Sequence, residues 1–422
     1  MRQVKSLQTG VKFKDTPIGK VPVDWEVLSL SQVAEINMGQ SPSSQDCHDY
    51  EEGLPFYQGN ADFGPKFPTA RRWCKKPLKI AKEGDILISV RAPVGEINIA
   101  PHECCIGRGL GAIRATKINS GYLYQSMLFH RKALEKVSQG STFEAINRKD
   151  LSDFLIFAPS DNEQKKIADI LSTVDDAIEE TDRIIEKTKE LKKGLMQRLL
   201  TRGIGHKKFK KTEIGEIPEE WEVSKLDNLI SVKHGYAFEG QHFGGEGPIL
   251  LTPGNFREDG GLYFNGRNLK RYSGDYPKNF ALSPNDLVIV MTDLSPFCKI
   301  LGNPALIPQG ETILHNQRIG KIVLKNKKVD KSFLYYFILS EMFKRVIKST
   351  ATGTTVRHTA PNRILNIRIA LPNISEQRKI AEILSKVDLE IDHEEANKQI
   401  LESLKKSLMQ VLLTGRVRVK LH

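Results

Sequence analysis

Basic and amide side chains are clustered along this chain, and the chemistry that they offer is binding rather than bond making. The chain has 63 lysines and arginines against 51 acidic residues, which gives a formal charge of +12. In protein–DNA contacts, lysine and arginine mostly bind phosphate, while arginine, asparagine and glutamine also read base edges. The charge balance therefore favours a polyanionic partner, with nucleic acid first and an anionic membrane second.

The candidate contacts fall into two groups, one in each half of the chain. Each group contains a basic cluster and a set of polar residues that follow a predicted strand or a glycine-containing loop. A run of charge is most often only a solvated surface, so a cluster is a better candidate than any single member. The predicted DNA-binding residues are Arg71, Arg72, Lys75, Lys76, Arg91, Arg108, Asn147, Arg148, Lys149, Arg257, Arg267, Lys270, Arg271, Gln317, Arg318, Arg357, His358 and Arg363.

The sequence lacks the motifs of a self-contained methyltransferase or nucleotide hydrolase. We find no glycine-rich cofactor loop with a [DNS]-PP-[FYW] tetrapeptide, and the Gly320-Lys321 pair lacks the upstream glycine of a phosphate-binding loop. His102, Cys104 and Cys105 lie close together, but adjacent cysteines rarely bind one tetrahedral ion. We therefore predict no catalytic residue, no metal site and no cofactor in this chain.

The same composition bears on location. No segment approaches the roughly 18 apolar residues of a membrane span, and the first ten residues do not resemble a signal peptide. The five cysteines form no CxxC pair and no disulfide framework. We expect a cytoplasmic protein with no membrane partner.

Two long helices are predicted to position the candidate residues. EQKKIADILSTVDDAIEE, which begins at Glu163, recurs as EQRKIAEILSKVDLEIDH from Glu376, 213 positions later. Neither copy contains proline, and each begins with a cap signal, Ser160 with Glu163 and Asn373 with Glu376. A helix of about 40 residues forms a rod roughly 60 Å long.

Apolar residues recur at three- and four-residue steps along both copies, which is typical of an amphipathic helix. Because such a helix cannot bury its stripe alone, each copy is the natural partner of the other in a two-stranded coiled coil. The alternative is that each helix packs against a globular core, although duplication of the whole rod argues against it. The predicted helix-pairing residues are Ile167, Leu171, Val174, Ile178, Leu195, Ile380, Leu384, Val387, Ile391 and Leu408.

A second repeat precedes each globular region. TPIGKVPVDWEVLSL matches TEIGEIPEEWEVSKL 196 positions later, so that Trp25 is repeated as Trp221. Between lead and helix, short β-type runs alternate with turn residues, and one predicted helix leads into a loop at Gly140 or Gly353. The order of elements is the same in both regions while the loop sequences differ, which favours one fold used twice with two specificities.

The chain is therefore predicted to be an α+β protein with two tandem, mixed β-rich domains, each followed by a long helix. Residues 1–159 form the first domain with its lead, and 160–203 the first long helix. Residues 204–372 form the second domain with its lead, and 373–422 the second long helix and a tail.

These motifs together resemble the specificity subunits of type I restriction–modification systems. They are the two IG-x-x-P-x-x-WE leads, the G-[ST]-T loops, a proline followed closely by EQ-x-KIA, and the helices that end in LMQ-x-LLT. Two features depart from many relatives. The proline continues into SDNEQ or NISEQ rather than a run such as PLPPLEEQ, and the helix shows one copy of a unit that some relatives repeat in tandem.

The resemblance implies two target recognition domains, each reading one half of a bipartite double-stranded DNA sequence. It also implies that the long helices pair as an antiparallel coiled coil, with pseudo-twofold symmetry, and fix the gap between the half-sites. The chain would be non-catalytic. Its implied partners are two methyltransferase subunits, which use S-adenosylmethionine, and motor–nuclease subunits, which use ATP and Mg.

The alternative is a coiled-coil scaffold or a stand-alone DNA-binding regulator. The long helices fit a scaffold, but two large domains with divergent loops do not. A regulator is more often a compact helix-turn-helix dimer. Co-purification of a methyltransferase with this chain would distinguish these functions from the one that the resemblance implies.

Overall fold

The computed structural model describes residues 12–139, 145–244 and 246–420, which form two compact units. Unit 1 contains the residues up to Arg183 and those from Glu395 onward, and unit 2 contains Ile184–Glu394. Each unit therefore holds one globular domain and one part of each long helix. The predicted segment boundaries follow the helices, whereas the compact units cut across them.

Short strands and helices build the first domain, and the first long helix follows it. In chain order they are β1 (Phe13–Thr16), β2 (Gly19–Pro22), β3 (Glu26–Ser29), α1 (Leu30–Val33), β4 (Ala34–Met38), β5 (Cys47–His48), β6 (Leu54–Tyr57), β7 (Trp73–Cys74), β8 (Ile80–Ala81), β9 (Ile86–Ser89), β10 (Ile97–Ile99), β11 (Cys104–Ile106), β12 (Leu110–Ala115), α2 (Ser120–Phe129), α3 (Arg131–Gln139), α4 (Arg148–Asp153), β13 (Leu155–Ala158) and α5 (Asp161–Arg202).

The second domain repeats this order and ends in the second long helix. Its elements are β14 (Phe209–Thr212), β15 (Gly215–Pro218), β16 (Glu222–Lys225), β17 (Ile230–His234), β18 (Ile249–Leu251), β19 (Ala281–Leu282), β20 (Leu287–Val290), β21 (Thr292–Asp293), β22 (Pro304–Leu306), β23 (Ile313–His315), β24 (Ile319–Leu324), α6 (Lys331–Leu339), α7 (Glu341–Thr350), β25 (Arg357–His358), α8 (Pro361–Leu365), β26 (Arg368–Leu371) and α9 (Ile374–Leu412).

A four-stranded antiparallel sheet lies at the centre of each domain. Its strand order is β10-β9-β12-β4 in unit 1 and β22-β20-β24-β17 in unit 2. Beside it lies a second, mixed sheet, β5-β7-β6-β11-β8 in unit 1 and β18-β23-β19 in unit 2. The matching strand orders of the two four-stranded sheets confirm that one mixed α+β fold is used twice, although the second sheet has five strands in unit 1 and three in unit 2.

The strand β20 is buried on both faces, which explains why its sequence is apolar at every position. Leu287 and Ile289 pack into a core that also contains α6, α7 and parts of both long helices. Val288 and Val290 face the opposite way, into the core beneath the second sheet. A strand that is buried on both faces reads as a continuous hydrophobic run rather than an alternating one.

Each predicted domain helix is in fact a pair of short helices. The helix predicted to lead into the loop at Gly140 is interrupted at His130, between α2 and α3. The helix predicted to lead into the loop at Gly353 is interrupted at Ser340, whose ψ of 151° is extended and whose hydroxyl accepts a hydrogen bond from the Phe343 backbone N–H. A serine in this conformation caps a new helix, and the amphipathic pattern alone did not reveal it.

Both long helices begin directly after their predicted cap residues, since α5 starts at Asp161 and α9 at Ile374. The glutamates of the cap signals bind elsewhere. Oε2 of Glu163 accepts a hydrogen bond from the Trp25 indole N–H at 3.1 Å. Glu376 and Trp221 make the equivalent bond, also at 3.1 Å. The repeated tryptophans and glutamates thus join each lead to the helix that leaves the same domain.

Ion pairs join α5 to α9 within each unit. In unit 1, Asp175 pairs with Lys405 at 2.5 Å, and Asp182 pairs with Lys398 at 2.6 Å. In unit 2, Lys192 Nζ lies 2.5 Å from Oδ1 of Asp388. The long helices therefore contact one another in both units.

The helix-pairing candidates lie in two environments. Ile167 and Leu171 are buried in the core of unit 1, and Ile380 and Leu384 in that of unit 2, so these four pack against domain side chains as well as the other long helix. The remaining candidates are buried or half-buried farther along the helices or at their ends: Val174, Ile178, Leu195, Val387, Ile391 and Leu408.

Not every apolar residue of the helical stripe is buried. Leu191 is 56% exposed, and Leu404, at the equivalent position, is 45% exposed. Among the described residues, no helix combines the length and the apolar character that crossing a membrane requires.

Candidate nucleic-acid interface

Three chain segments that carry candidate residues converge in unit 1 where the inner strands β9 and β12 of the central sheet end and begin. Val90, which follows β9, donates its backbone N–H to the Gly109 carbonyl at 2.9 Å and accepts a bond from the Ile146 N–H at 3.0 Å. Arg91, Arg108 and Asn147 are direct neighbours of these three residues. Tertiary hydrogen bonds therefore bring the three candidates to one place, which we call the junction of unit 1.

The same junction occurs in unit 2. Met291, which follows β20, donates its N–H to the Arg318 carbonyl at 2.9 Å and accepts a bond from the Thr359 N–H at 3.0 Å. The short strands β21 and β25 extend the contact by pairing Thr292 with His358. Gln317, Arg318, Arg357 and His358 are thus gathered at the junction of unit 2.

The side chains at the unit 1 junction differ in how available they are for binding a ligand. Arg91 and Arg108 are exposed. Asn147 is also exposed, but its Oδ1 caps α4 by accepting the N–H groups of Lys149 at 2.8 Å and Asp150 at 3.0 Å. Arg148 and Lys149 occupy the first turn of α4, and Arg148 also lines a cleft beside Asp85 and Arg114. Residues 140–144, with the G-S-T motif, lie outside the described residues.

Arginines support the G-T-T loop in unit 2. Arg357 donates from Nη1 to the Gly353 carbonyl at 2.7 Å, and Arg363 donates to the Thr352 hydroxyl at 3.1 Å. Nδ1 of His358 lies 3.1 Å from the Thr292 hydroxyl. These contacts stabilise the loop, so Arg357 and Arg363 have a structural role that the sequence pattern did not indicate.

Acidic neighbours accompany the basic cluster of unit 1. Arg72 lies 3.5 Å from Asp49, Lys75 lies 2.7 Å from Glu52, and Lys76 lies 3.9 Å from Asp46. The hydrogen bond to Lys75 lowers the pKa of Glu52, and the same bond raises the pKa of Lys75. Arg71 is exposed and forms no ion pair with the described part of the chain. It is the least neutralised member of the cluster.

The basic cluster of unit 2 also contains both residues that pair with a carboxylate and residues that do not. Arg271 donates to both oxygens of Glu311, at 2.6 and 3.1 Å, and the bond lowers the pKa of that carboxyl group. Arg267 and Lys270 are exposed side chains on the loop before it. Arg257 is half-buried and lines a cavity of about 570 Å³ beside α5 and α9. Of these four basic residues, only Arg267 and Lys270 therefore present a charge that has no ion-pair partner among the described residues.

All eighteen predicted residues are exposed or half-buried. Sequence reasoning missed two polar residues beside Arg108. The Ser41 hydroxyl accepts the Arg108 N–H at 3.2 Å, and Gln58 donates to the same hydroxyl at 2.9 Å. Neither residue belongs to a motif, so a single sequence carries no signal for them.

Burial perturbs a histidine near the unit 2 junction. His315, at the end of β23, is buried, and its Nε2 lies 2.9 Å from the Ile319 carbonyl. Loss of solvent contact lowers the pKa of this imidazole below its ordinary value of 6.5. The ring is thus held neutral, as a structural donor rather than a cation for phosphate. No cluster of His, Cys, Asp or Glu in the described ranges could hold a metal ion.

Comparison with known proteins agrees with the two-domain architecture. The chain matches the family "Type I restriction modification DNA specificity domain" over residues 22–190 and 218–403. It is 30% identical over 419 residues to the type I restriction enzyme MjaVIII specificity subunit of Methanocaldococcus jannaschii, covering 97% of this chain and 96% of that protein. The MjaIX specificity subunit of the same organism is 24% identical over an alignment of 445 positions that covers 97% of each chain.

A solved structure shares the fold. The type I restriction–modification S subunit from M. genitalium superposes with a TM-score of 0.59 at 14% identity, covering 94% of this chain and 97% of that one. Both the sequence match and the fold match extend over the two domains. This chain therefore belongs to the family of type I restriction–modification specificity subunits, with two specificity domains in tandem.

Proposed function

We propose that this chain is the non-catalytic subunit that gives a type I restriction–modification complex its DNA specificity. Each domain binds one half of a bipartite double-stranded DNA target. The junction of each domain faces the DNA, because this is where candidate residues from distant parts of the sequence converge.

This proposal rests on the two junctions, which share equivalent backbone hydrogen bonds but carry different side chains. Both are built from the residue after a central strand, a neighbouring strand connection and the segment that follows the glycine loop. Around this common frame, unit 1 presents Arg91 and Arg108, whereas unit 2 presents Gln317 and His358. Because base edges are distinguished by donor and acceptor patterns, different side chains on one frame allow the two domains to read different bases.

We further propose that α5 and α9 pair antiparallel and set the gap between the half-sites. The ion pairs support this direction, because in unit 1 a higher residue number on α5 meets a lower one on α9, 175 with 405 and then 182 with 398. The pair of residues 192 and 388 in unit 2 has the same sum of residue numbers, 580. Antiparallel rods of equal length have an approximate twofold axis, as duplex DNA does.

The partners in this proposal are two methyltransferase subunits and motor–nuclease subunits. S-adenosylmethionine would be bound by the former, and ATP and Mg by the latter. This chain supplies recognition and a framework on which the subunits assemble.

A genome-wide map of methylated adenines tests the proposal. The chain is expressed in a host with a methyltransferase subunit of its own system, and each protein is also expressed alone. We expect a new bipartite motif with a fixed gap only when both are present. Methylation by the chain alone, or co-purification of both proteins without any new motif, would contradict the proposal. Failure of the two proteins to associate would favour a scaffold.

A further inference from the structure

The loop that follows the junction of unit 2 presents apolar side chains to solvent. Phe297 is 73% exposed and Leu294 is 59% exposed, and both lie in the short connection between β21 and β22. Among the described residues, no other large hydrophobic side chain is as exposed as Phe297. A folded chain gains nothing by leaving a phenyl ring in water, because its burial would be favourable.

The loop is held firmly at both ends, so the exposure is built into the domain. Asp293 is buried and accepts backbone N–H bonds from Ser295 and Ile300, each at 2.8 Å. Cys298 is 5% exposed and adopts a φ of 52°, which turns the chain back towards the sheet. The side chains of residues 294 and 297 are therefore presented on a fixed base, which reduces the entropy lost on binding.

The position of the loop points to DNA as its ligand. β21 pairs with β25, which places the loop directly after a strand bonded to His358 and Arg357. The Met291 to Arg318 bond fixes the start of the same segment. The apolar tip thus projects from the set of basic and polar residues that we assign to DNA. DNA-binding proteins that bend the duplex frequently insert an apolar side chain between base steps, and single-strand binders stack aromatic rings on bases.

We propose that Phe297, supported by Leu294, is an apolar wedge that stacks on or between bases of the half-site read by the second domain. This inference rests on the proposed function and adds a residue-level mechanism to it. The two half-sites are then bound differently, because the corresponding connection of unit 1, between β9 and β10, exposes Arg91, Ala92 and Pro93. A guanidinium group acts on phosphate or a base edge there, where unit 2 uses an aromatic ring.

The test uses the complex of this chain with its methyltransferase subunits and a synthetic duplex that carries the mapped bipartite motif. Phe297→Ala is expected to weaken binding roughly ten- to hundredfold. The dependence of affinity on salt should stay unchanged, because an apolar side chain releases no counterions. Phe297→Trp should retain affinity, and Leu294→Ala should weaken binding less than Phe297→Ala.

A spectroscopic readout separates a wedge from a general loss of binding. With 2-aminopurine placed at successive positions of both half-sites other than the methylated adenines, which the methyltransferase subunits themselves unstack, the wild-type complex should increase its fluorescence within one half-site only, since unstacking relieves quenching. Phe297→Ala, at saturating protein, should abolish the increase. Leu324→Ala is the control, because this exposed leucine is the last residue of β24, whose first residue follows the junction.

Three results would overturn the wedge while leaving the proposed function intact. One is wild-type affinity for Phe297→Ala, and another is a fluorescence increase that persists in this variant. The third is loss of the methyltransferase subunits from purified Phe297→Ala complex, which would assign the loop to protein docking. Absence of any sequence-specific binding by the wild-type complex would instead contradict the proposed function itself.

Discussion

Glu163 and Glu376 occupy equivalent buried positions but have different partners. Glu163 accepts two hydrogen bonds from the Arg418 guanidinium, at 2.7 and 2.8 Å. Glu376 instead lies 2.8 Å from Nε2 of His206 and accepts the Ile204 N–H at 2.9 Å. A bidentate arginine is always charged and well oriented, so the pair in unit 1 is the stronger one.

Glu163→Gln should destabilise unit 1 by roughly 3 kcal/mol, because it leaves a half-buried guanidinium without one of its carboxylates. Glu376→Gln should destabilise unit 2 by less, since its bond to the Ile204 N–H survives in the amide. Hydrogen exchange of peptides from each unit measures the two effects separately. Glu51→Gln, at an exposed position, serves as the control, and equal losses in both units would contradict the prediction.

His315 should make unit 2 less stable as the pH falls. Its pKa in the folded chain lies below the ordinary value of 6.5, so the unfolded chain binds the proton first. The contribution of His315 to the free energy of unfolding is therefore fully present above pH 6.5, and it is lost as the pH falls towards the pKa of His315 in the folded chain. His315→Asn should reduce this dependence in urea unfolding between pH 7.5 and 5, whereas His393→Asn, at an exposed position, should leave it unchanged.

Ion pairing within the basic cluster of unit 1 predicts unequal contributions to DNA binding. Arg71→Ala should weaken binding of the complex and reduce the slope of log affinity against log salt by about 1, as expected for one phosphate contact. Lys75→Ala should have a smaller effect, because Lys75 already pairs with Glu52 at 2.7 Å. Titrations at several salt concentrations compare the two, and an equal slope change would show that Glu52 does not compete with DNA.

At the scale of elements, one network attaches each domain to both long helices. Gln125 of α2 donates to Asp175, which also pairs with Lys405. In unit 2 the Tyr336 hydroxyl donates to Asp388 at 2.7 Å, and Asp388 pairs with Lys192. The domain helix, the helix that leaves the domain and the other long helix thus meet at a single carboxylate in each unit.

A double-mutant cycle of Lys192→Ala and Asp388→Ala should give a coupling energy of about 1 kcal/mol in unit 2. Their side chains are 16% and 28% exposed, so solvent screens the pair only partly. The control is Lys386 with Glu382, an exposed pair within α9, whose coupling should be much smaller because solvent screens it. Similar coupling in both cycles would mean that the contact between the helices adds no stability.

Periodicity and repetition were sufficient for the two long helices but not for the break within each domain helix or for the tertiary contacts. The starts of α5 and α9 could be placed within a residue, because caps and apolar spacing are local properties. The bond between Trp25 and Glu163 could not be anticipated, since a capping role already accounted for the glutamate. The junction of Val90, Gly109 and Ile146 depends on tertiary hydrogen bonds between residues far apart in sequence, which no local pattern encodes.

At the scale of the whole molecule, the proposed spacer makes a geometric prediction. Seven residues inserted into each long helix, after Lys187 and after the equivalent Ile400, add about 10 Å to each rod. The gap in the methylated motif should widen by about three base pairs, at 3.4 Å each, while both half-sites stay the same. The adenine map measures this directly. A changed half-site, or an unchanged gap with intact methylation, would contradict a spacer role.

The composition of unit 1 has a consequence for biosynthesis. A ribosome completes domains from the N-terminus onwards, yet Arg418, Leu412 and Leu413 belong to the core and the ion pairs of unit 1. In the nascent first domain, Ile167 and Leu171 therefore remain incompletely buried until the second domain and the end of α9 have been translated. The domain that is synthesised first is therefore the last to complete its fold. Premature termination near residue 412 would destabilise the N-terminal domain rather than the C-terminal one.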